Sequence, residues 1–215
     1  MKKTLIILFG APGSGKGFLG NKIREKLVDD KGVRTDEVGY ISTGDLLREE
    51  IAAGSALGLE ITQIVSSGNL VPDEIVGTLV EKALSRNDRI VLLDGYPRTE
   101  NQRSALADML QNKGMFVVAI KRNTPVSVIR KRVSERRVCK DCRTTHSVFD
   151  GKCPKCGGES VVRSDDAVID QRLSEYEKNT APVWNKLALM CNAMQAFDGR
   201  EDADAVAKWI IEKYF

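Results

Sequence analysis

Apolar residues along the chain fall into two kinds of run. Thr4 to Phe9 is apolar after its threonine, the pattern of a strand buried on both faces of a parallel sheet. Ile90 to Leu93 and Phe116 to Ile120 repeat that pattern, each bounded by polar or turn residues and preceded by a helical stretch. Between the first two runs, Phe18, Ile23 and Leu27 recur at near-helical spacing across Gly17 to Lys31. Strand, loop and helix therefore alternate, which predicts an α/β fold with a parallel β-sheet flanked by helices and joined by right-handed crossovers.

Two stretches interrupt the alternation. Ser42 to Val71 reads as short helices punctuated by Gly44, Gly54, Gly58 and Gly68, with no strand, and suggests a helical insertion. Arg137 to Arg163 is rich in Gly, Lys and Ser and carries four cysteines. A module of that size cannot bury a stabilising core alone, so a metal is expected to supply the missing folding energy. From Asp166 to Met194, and again from Asp202 to Phe215, helical periodicity returns, with Cys191 placed in it as a small apolar residue.

Composition narrows the class. At 215 residues, 42% hydrophobic and 29% charged, one main domain with small insertions is the expectation. A formal charge of +3 is too mild for a nucleic-acid coat, and no apolar run approaches the roughly 18 residues that would span a bilayer. Leu5 to Phe9 is too short for the core of a signal peptide. The expectation is a cytoplasmic chain that binds neither nucleic acid nor membrane.

The chemistry begins directly after the first strand. GAPGSGK, Gly10 to Lys16, matches G-x-x-x-x-G-K, whose consecutive backbone amides point at an anion while the following helix adds its positive end. Such loops usually place a Ser or Thr directly after the lysine to reach Mg²⁺, but Gly17 and Phe18 follow here. Asp94, at the end of the second apolar run, is the candidate to hold Mg²⁺ or its waters, with capping of the next helix as the alternative. Cys139, Cys142, Cys153 and Cys156 form two C-x-x-C pairs, for which zinc is the expected occupant and disulfides or free thiols the alternative. Lys140, Arg137 and Lys155 are expected to help keep the thiolates deprotonated.

Taken in order, GAPGSGKG, ISTGDLLR (41–48), NLVPDEIV (69–76), DGYPRTENQ (94–102), RRVC (136–139), RSDD (163–166) and RLSEYEKNTAP (172–182) resemble the motifs of the adenylate kinases. The resemblance covers nearly the whole chain, and the cysteine module is similar to the zinc-bearing lid of many bacterial members. It implies a P-loop kinase whose core comprises 1–41, 72–134 and 167–215, an AMP-binding insertion at 42–71 and a lid at 135–166. The implied activity is Mg²⁺-dependent phosphoryl transfer, ATP + AMP = 2 ADP, by a monomer. Carried over by motif, ATP falls to Gly13, Ser14, Gly15, Lys16, Gly17, Arg132, Arg136, Thr144 and Thr145. AMP and the phosphates fall to Thr43, Arg48, Asn69, Leu70, Val71, Gly95, Arg98, Gln102, Arg163 and Arg172. Lys16, Asp94 and the arginines at 98, 132, 136, 163 and 172 form the implied catalytic group. An arginine-rich set suits a reaction whose charge spreads over the equatorial oxygens of a phosphoryl group in flight. Arg130, Lys131 and Arg137 read instead as solvated surface charges, and His146 as neither ligand nor base.

The chain departs from that family at several points. Phe18 stands where a Thr is usual and Leu19 where Gln is usual, so weaker phosphate or metal positioning without loss of the reaction is the expectation. Glu135 replaces a usual Gly before the lid arginines, the loop between the cysteine pairs is shorter, and the link from Asp166 to Arg172 is about two residues short, which can turn Arg172 away from the phosphates. Two other readings remain: a UMP/CMP-type kinase, opposed by Thr43, LVPD and Gln102, and a zinc-ribbon protein that binds nucleic acid and uses ATP as a switch.

Overall fold

The computed structural model describes residues 2–86, 88–111, 113–142, 144–147, 151–163 and 166–215. Ser164 and Asp165 of the RSDD motif lie outside the described residues. Thr4–Phe9 (β1), Val38–Ser42 (β2), Ile90–Asp94 (β3), Phe116–Asn123 (β4) and Ala193–Asp198 (β8) form a parallel sheet in the order β2-β3-β1-β4-β8. Every residue of β1 is buried, as its unbroken apolar run requires of a central strand.

Alternation along β1 divides the core. Leu5, Ile7 and Phe9 face one side, under Thr43–Ala52 (α2), Asp73–Leu84 (α4), Glu100–Leu110 (α5), Val126–Ser134 (α6) and the C-terminal helical turns. Ile6 and Leu8 face the other, under Lys16–Asp29 (α1) and Ala203–Tyr214 (α9). Ala56–Ser66 (α3) packs on α2 and completes the helical stretch expected at 42–71. Side-chain caps start several helices: Ser42 accepts from Asp45 N, Ser55 from Gly58 N, Thr99 from Gln102 N and Asp202 from Asp204 N. The cap of α5 is thus Thr99, not Asp94, which removes the alternative role considered for that carboxylate.

The cysteine region folds as a separate small sheet, Arg137–Cys139 (β5) between Thr145–His146 (β6) and Ser160–Val161 (β7), both antiparallel to it. After it the chain runs through Ile169–Glu175 (α7), a π-helical turn at Tyr176–Thr180, Val183–Lys186 (α8) and a 3₁₀ turn at Leu187–Leu189. Two strands of the main sheet escape the apolar-run criterion. Both β2 and β8 are sheet edges with mixed burial, so neither needs a continuous apolar run, and the helical reading of the chain up to Met194 gives way to strand at Ala193. Cys191 follows the 3₁₀ turn instead of sitting inside a helix; it packs against the core, and burial pushes its thiol up to about 12.

Gly20 shows how closely α1 sits on the sheet. A Cβ there would lie 2.6 Å from Tyr40 Cε2 and 2.7 Å from Leu8 Cδ1. Helix propensity alone favours Gly20→Ala by about 1 kcal/mol. Overpacking is expected to win, and thermal denaturation of Gly20→Ala should show a net loss of about 1–2 kcal/mol.

Candidate active site

Where β1 ends, Gly10, Gly13 and Gly15 all take positive φ and turn the chain into α1. Gly13 is constrained twice, since at φ 76° a Cβ would also lie 2.9 Å from Ile129 and Val133 of α6. Gly15, left-handed at φ 91°, is the N-cap of α1 and provides no side chain to its first amides. Those amides and the helix dipole are what a polyphosphate would meet. The loop is braced from behind: Thr124 Oγ1 donates to Ser14 O over 3.0 Å, and Arg132 donates to Ser14 O at 3.3 Å and to Gly199 O at 2.8 Å.

Lys16 folds back beneath this loop, its ammonium donating to Gly10 O at 2.8 Å and Ala11 O at 2.9 Å. Burial pushes its pKa down to about 8; Asp94 opposes that shift, while the positive charges of Arg98, Arg172 and Arg136 add to it. These three arginines therefore converge electrostatically on Lys16. Arg136 is held by a bidentate pair with the buried Asp166, which neutralises part of the local charge. Glu135, where a Gly is usual, closes α6 at φ −86°, a conformation open to any residue.

A second group surrounds the end of β3. Thr43 Oγ1 donates to Gly95 O at 3.0 Å, Arg98 Nε donates to the same carbonyl at 2.8 Å, and Gln102 Oε1 accepts from Arg98 N at 2.7 Å. Gln102 Nε2 and Thr99 Oγ1 both donate to Asp73, at 2.8 and 2.7 Å, tying α4 to α5; sequence reasoning had no signal for Asp73 beyond its place in LVPD. Arg48 pairs with Asp45, and Asn69 Oδ1 accepts weakly from Gln171 of α7 at 3.4 Å. Leu70 is half-buried and Val71 buried at the entry to α4. Phe18 is 62% exposed on α1, with the Lys22 ammonium 6.0 Å from its ring centre, so core packing does not explain the aromatic.

In the small sheet, the four cysteine sulfurs lie within 4.8 Å of one another, with 3.5 Å between Cys139 and Cys156 and between Cys142 and Cys153. A tetrahedral Zn²⁺ bound by four thiolates needs sulfurs about 3.8 Å apart, so the donor set fits that ion. Lys140 pairs with Glu159, Arg137 donates to Ser134 O and Arg136 O, and the sulfurs instead receive the backbone amides of Cys142 and Lys155. Thr144, bonded to Cys142 Sγ at 3.2 Å, draws that thiol well down, while at Cys156 the Gly158 backbone draws the thiol down and its hydrogen bonds to Cys142 and Cys139 push it up on balance. Thr145 lies in β6 opposite Val138, His146 bonds Ser160 at 2.8 Å, and Arg163 is half-buried just after β7. Arg130 pairs with Asp170 at the surface.

The family model for adenylate kinase matches residues 8–188 of this chain. The chain belongs to the adenylate kinase family. Among curated adenylate kinases it is 36% identical to that of Fervidobacterium nodosum over 94% of both chains, and 36% identical to that of Thermosipho melanesiensis over 96% of this chain and 97% of the relative. The adenylate kinase of Pyrococcus furiosus is 38% identical over 83% of this chain and 81% of the relative. The matched span takes in the phosphate loop, most of the parallel sheet and the cysteine cluster. In the described residues no helix is long and apolar enough to cross a membrane.

Two outcomes follow from this adenylate-kinase site. A nucleotide polyphosphate should restore the Lys16 proton, so binding at pH 8.5 should take up protons and weaken as pH rises past about 8, which calorimetry in buffers of different ionisation enthalpy reads directly. Replacing Cys142 with Ser should abolish stoichiometric zinc by elemental analysis and lower the melting temperature by on the order of 5 °C or more.

Proposed function

We propose that this chain is a cytoplasmic, monomeric adenylate kinase that moves the γ-phosphoryl group of ATP onto the phosphate of AMP and back. The observation that carries the proposal is the phosphate loop at the end of β1, with the Lys16 ammonium on the Gly10 and Ala11 carbonyls and the Asp94 carboxylate beside Gly17, in a chain that the adenylate kinase family model matches over residues 8–188. An AMP phosphate oxygen bonds to the γ-phosphorus as the bond from that phosphorus to the β,γ-bridging oxygen breaks. The β-phosphate leaves as ADP, and no general base is needed.

In this reading the amides of Gly13 to Gly17 and the Lys16 ammonium hold the ATP phosphates, and Lys16 exchanges its carbonyl partners for phosphate oxygens. Arg132 lies along the loop's outer side, with Thr144 and Thr145 on the lid. Thr43, Gly95, Arg98 and Gln102 hold AMP with Arg48 and the 69–71 backbone, and buried polar contacts of this kind select one base over another. Arg98, Arg136, Arg163 and Arg172 stabilise charge on the transferring group. Bound Mg²⁺ supplies charge neutralisation at the β- and γ-phosphates, with Asp94 as the carboxylate that would orient its waters. A carboxylate at the open end of β3 beside a helix start without a Cβ at Gly17 suits that hard cation's preference for oxygen and retained water. The insertion at 42–71 and the lid at 135–166 close over the substrates and exclude water that would otherwise hydrolyse ATP.

The deciding experiment is ADP formation from Mg·ATP with AMP, UMP, CMP or GMP as acceptor, beside a metal-free control. Rapid turnover with AMP and slow turnover with the others is expected, and equal rates with UMP or CMP would overturn the assignment of the acceptor. In the same assay Phe18→Thr should raise turnover by about twofold or more, in line with a modest positioning defect; a smaller change would make Phe18 neutral.

A further inference from the structure

Asp94 ends β3 beside the first turn of α1, and one of its oxygens is already engaged. The Tyr40 hydroxyl, from β2, donates to Asp94 Oδ2 over 3.1 Å. The two residues are not register partners, since Ser42 lies opposite Asp94 and Tyr40 opposite Leu92. The phenol therefore runs along the sheet toward the strand end to reach the carboxylate.

Space for that ring exists because α1 has no side chain at Gly20. A Cβ on Gly20 would lie 2.6 Å from Tyr40 Cε2 and 3.0 Å from its hydroxyl. A Cβ on Gly17 would lie 3.7 Å from the same hydroxyl and 3.5 Å from Asp94 Oδ2. Gly17 is also the position from which many phosphate loops extend a hydroxyl toward Mg²⁺. This chain has no side chain there, and the Tyr40 hydroxyl stands 3.7 Å from where its Cβ would be.

We propose that Tyr40 is a positioning residue: its hydroxyl holds Asp94 by Oδ2 so that the carboxylate meets the waters of the nucleotide-bound Mg²⁺ in one orientation. The inference rests on the reading of Asp94 given above. Rotation about the last torsion of an aspartate is otherwise soft, and a fixed donor on one oxygen narrows it. Burial and the neighbouring Asp94 charge raise the phenol far above its ordinary pKa, so Tyr40 remains a donor at every working pH. Gly20 belongs to the same device, because no other residue leaves the ring its place.

The test is calorimetric and involves no turnover. The β,γ-imido analogue of ATP is titrated with and without Mg²⁺ into the intact protein, Tyr40→Phe and Asp94→Asn, and the ratio of the two dissociation constants is compared. Tyr40→Phe keeps the ring against Gly20, and its metal-free dissociation constant, expected within twofold of the parent, reports an intact phosphate loop. The Mg²⁺ enhancement should fall about tenfold in Tyr40→Phe, the size of a lost hydrogen bond to a charged group, and at least as far in Asp94→Asn. An unchanged ratio in Tyr40→Phe with a collapsed one in Asp94→Asn would overturn the role of Tyr40 and leave Asp94 in place. Equal weakening with and without metal would make Tyr40 a packing residue only, and an unchanged ratio in Asp94→Asn would remove the premise itself.

Discussion

Everything at the site depends on where β1 stops. Its six residues are buried on both faces and paired with β3 and β4, so the strand cannot slide without exposing the centre of the sheet. The register that pairs Leu8 with Asp94 also delivers Gly10 to the sheet edge. From there the loop, the α1 amides, the Lys16 ammonium and the Asp94 carboxylate occupy one end of the sheet, as open parallel sheets generally arrange their ligands.

The second constraint is electrostatic. Lys16 and the arginines that surround it repel one another, and desolvation weakens the lysine's hold on its proton. Three devices in the structure limit this cost. The Gly10 and Ala11 carbonyls receive the ammonium, Asp166 forks onto Arg136, and Asp94 adds a negative charge within reach. A polyanion of high charge density is the natural complement of what remains, because it satisfies the loop amides and the cations together.

The cysteine module obeys a different rule. Its three strands hold two or three residues each, too few to bury a core, and its order depends on the sulfur cluster and the backbone amides that donate to it. It joins the main body at the end of α6 and ahead of α7. The Arg136–Asp166 pair stands at its base and links its two connections.

Much of this was legible locally. The continuous apolar run of β1, the glycine spacing through Lys16, the carboxylate closing β3 and the two C-x-x-C pairs each carry their meaning within a few residues, because burial on both faces, a tight phosphate turn and a thiolate pair impose local patterns. The motif order even marked the family before any fold was seen. Other features had no local signature. The edge strands β2 and β8 are only partly buried and so lack an apolar run. Arg132 reaches a carbonyl 67 residues away, and Tyr40 meets Asp94 across 54 residues of sequence. Contacts of that range come from strand order and helix packing, so only the tertiary structure could decide which charges meet at Lys16 and which hydroxyl holds the carboxylate beside it.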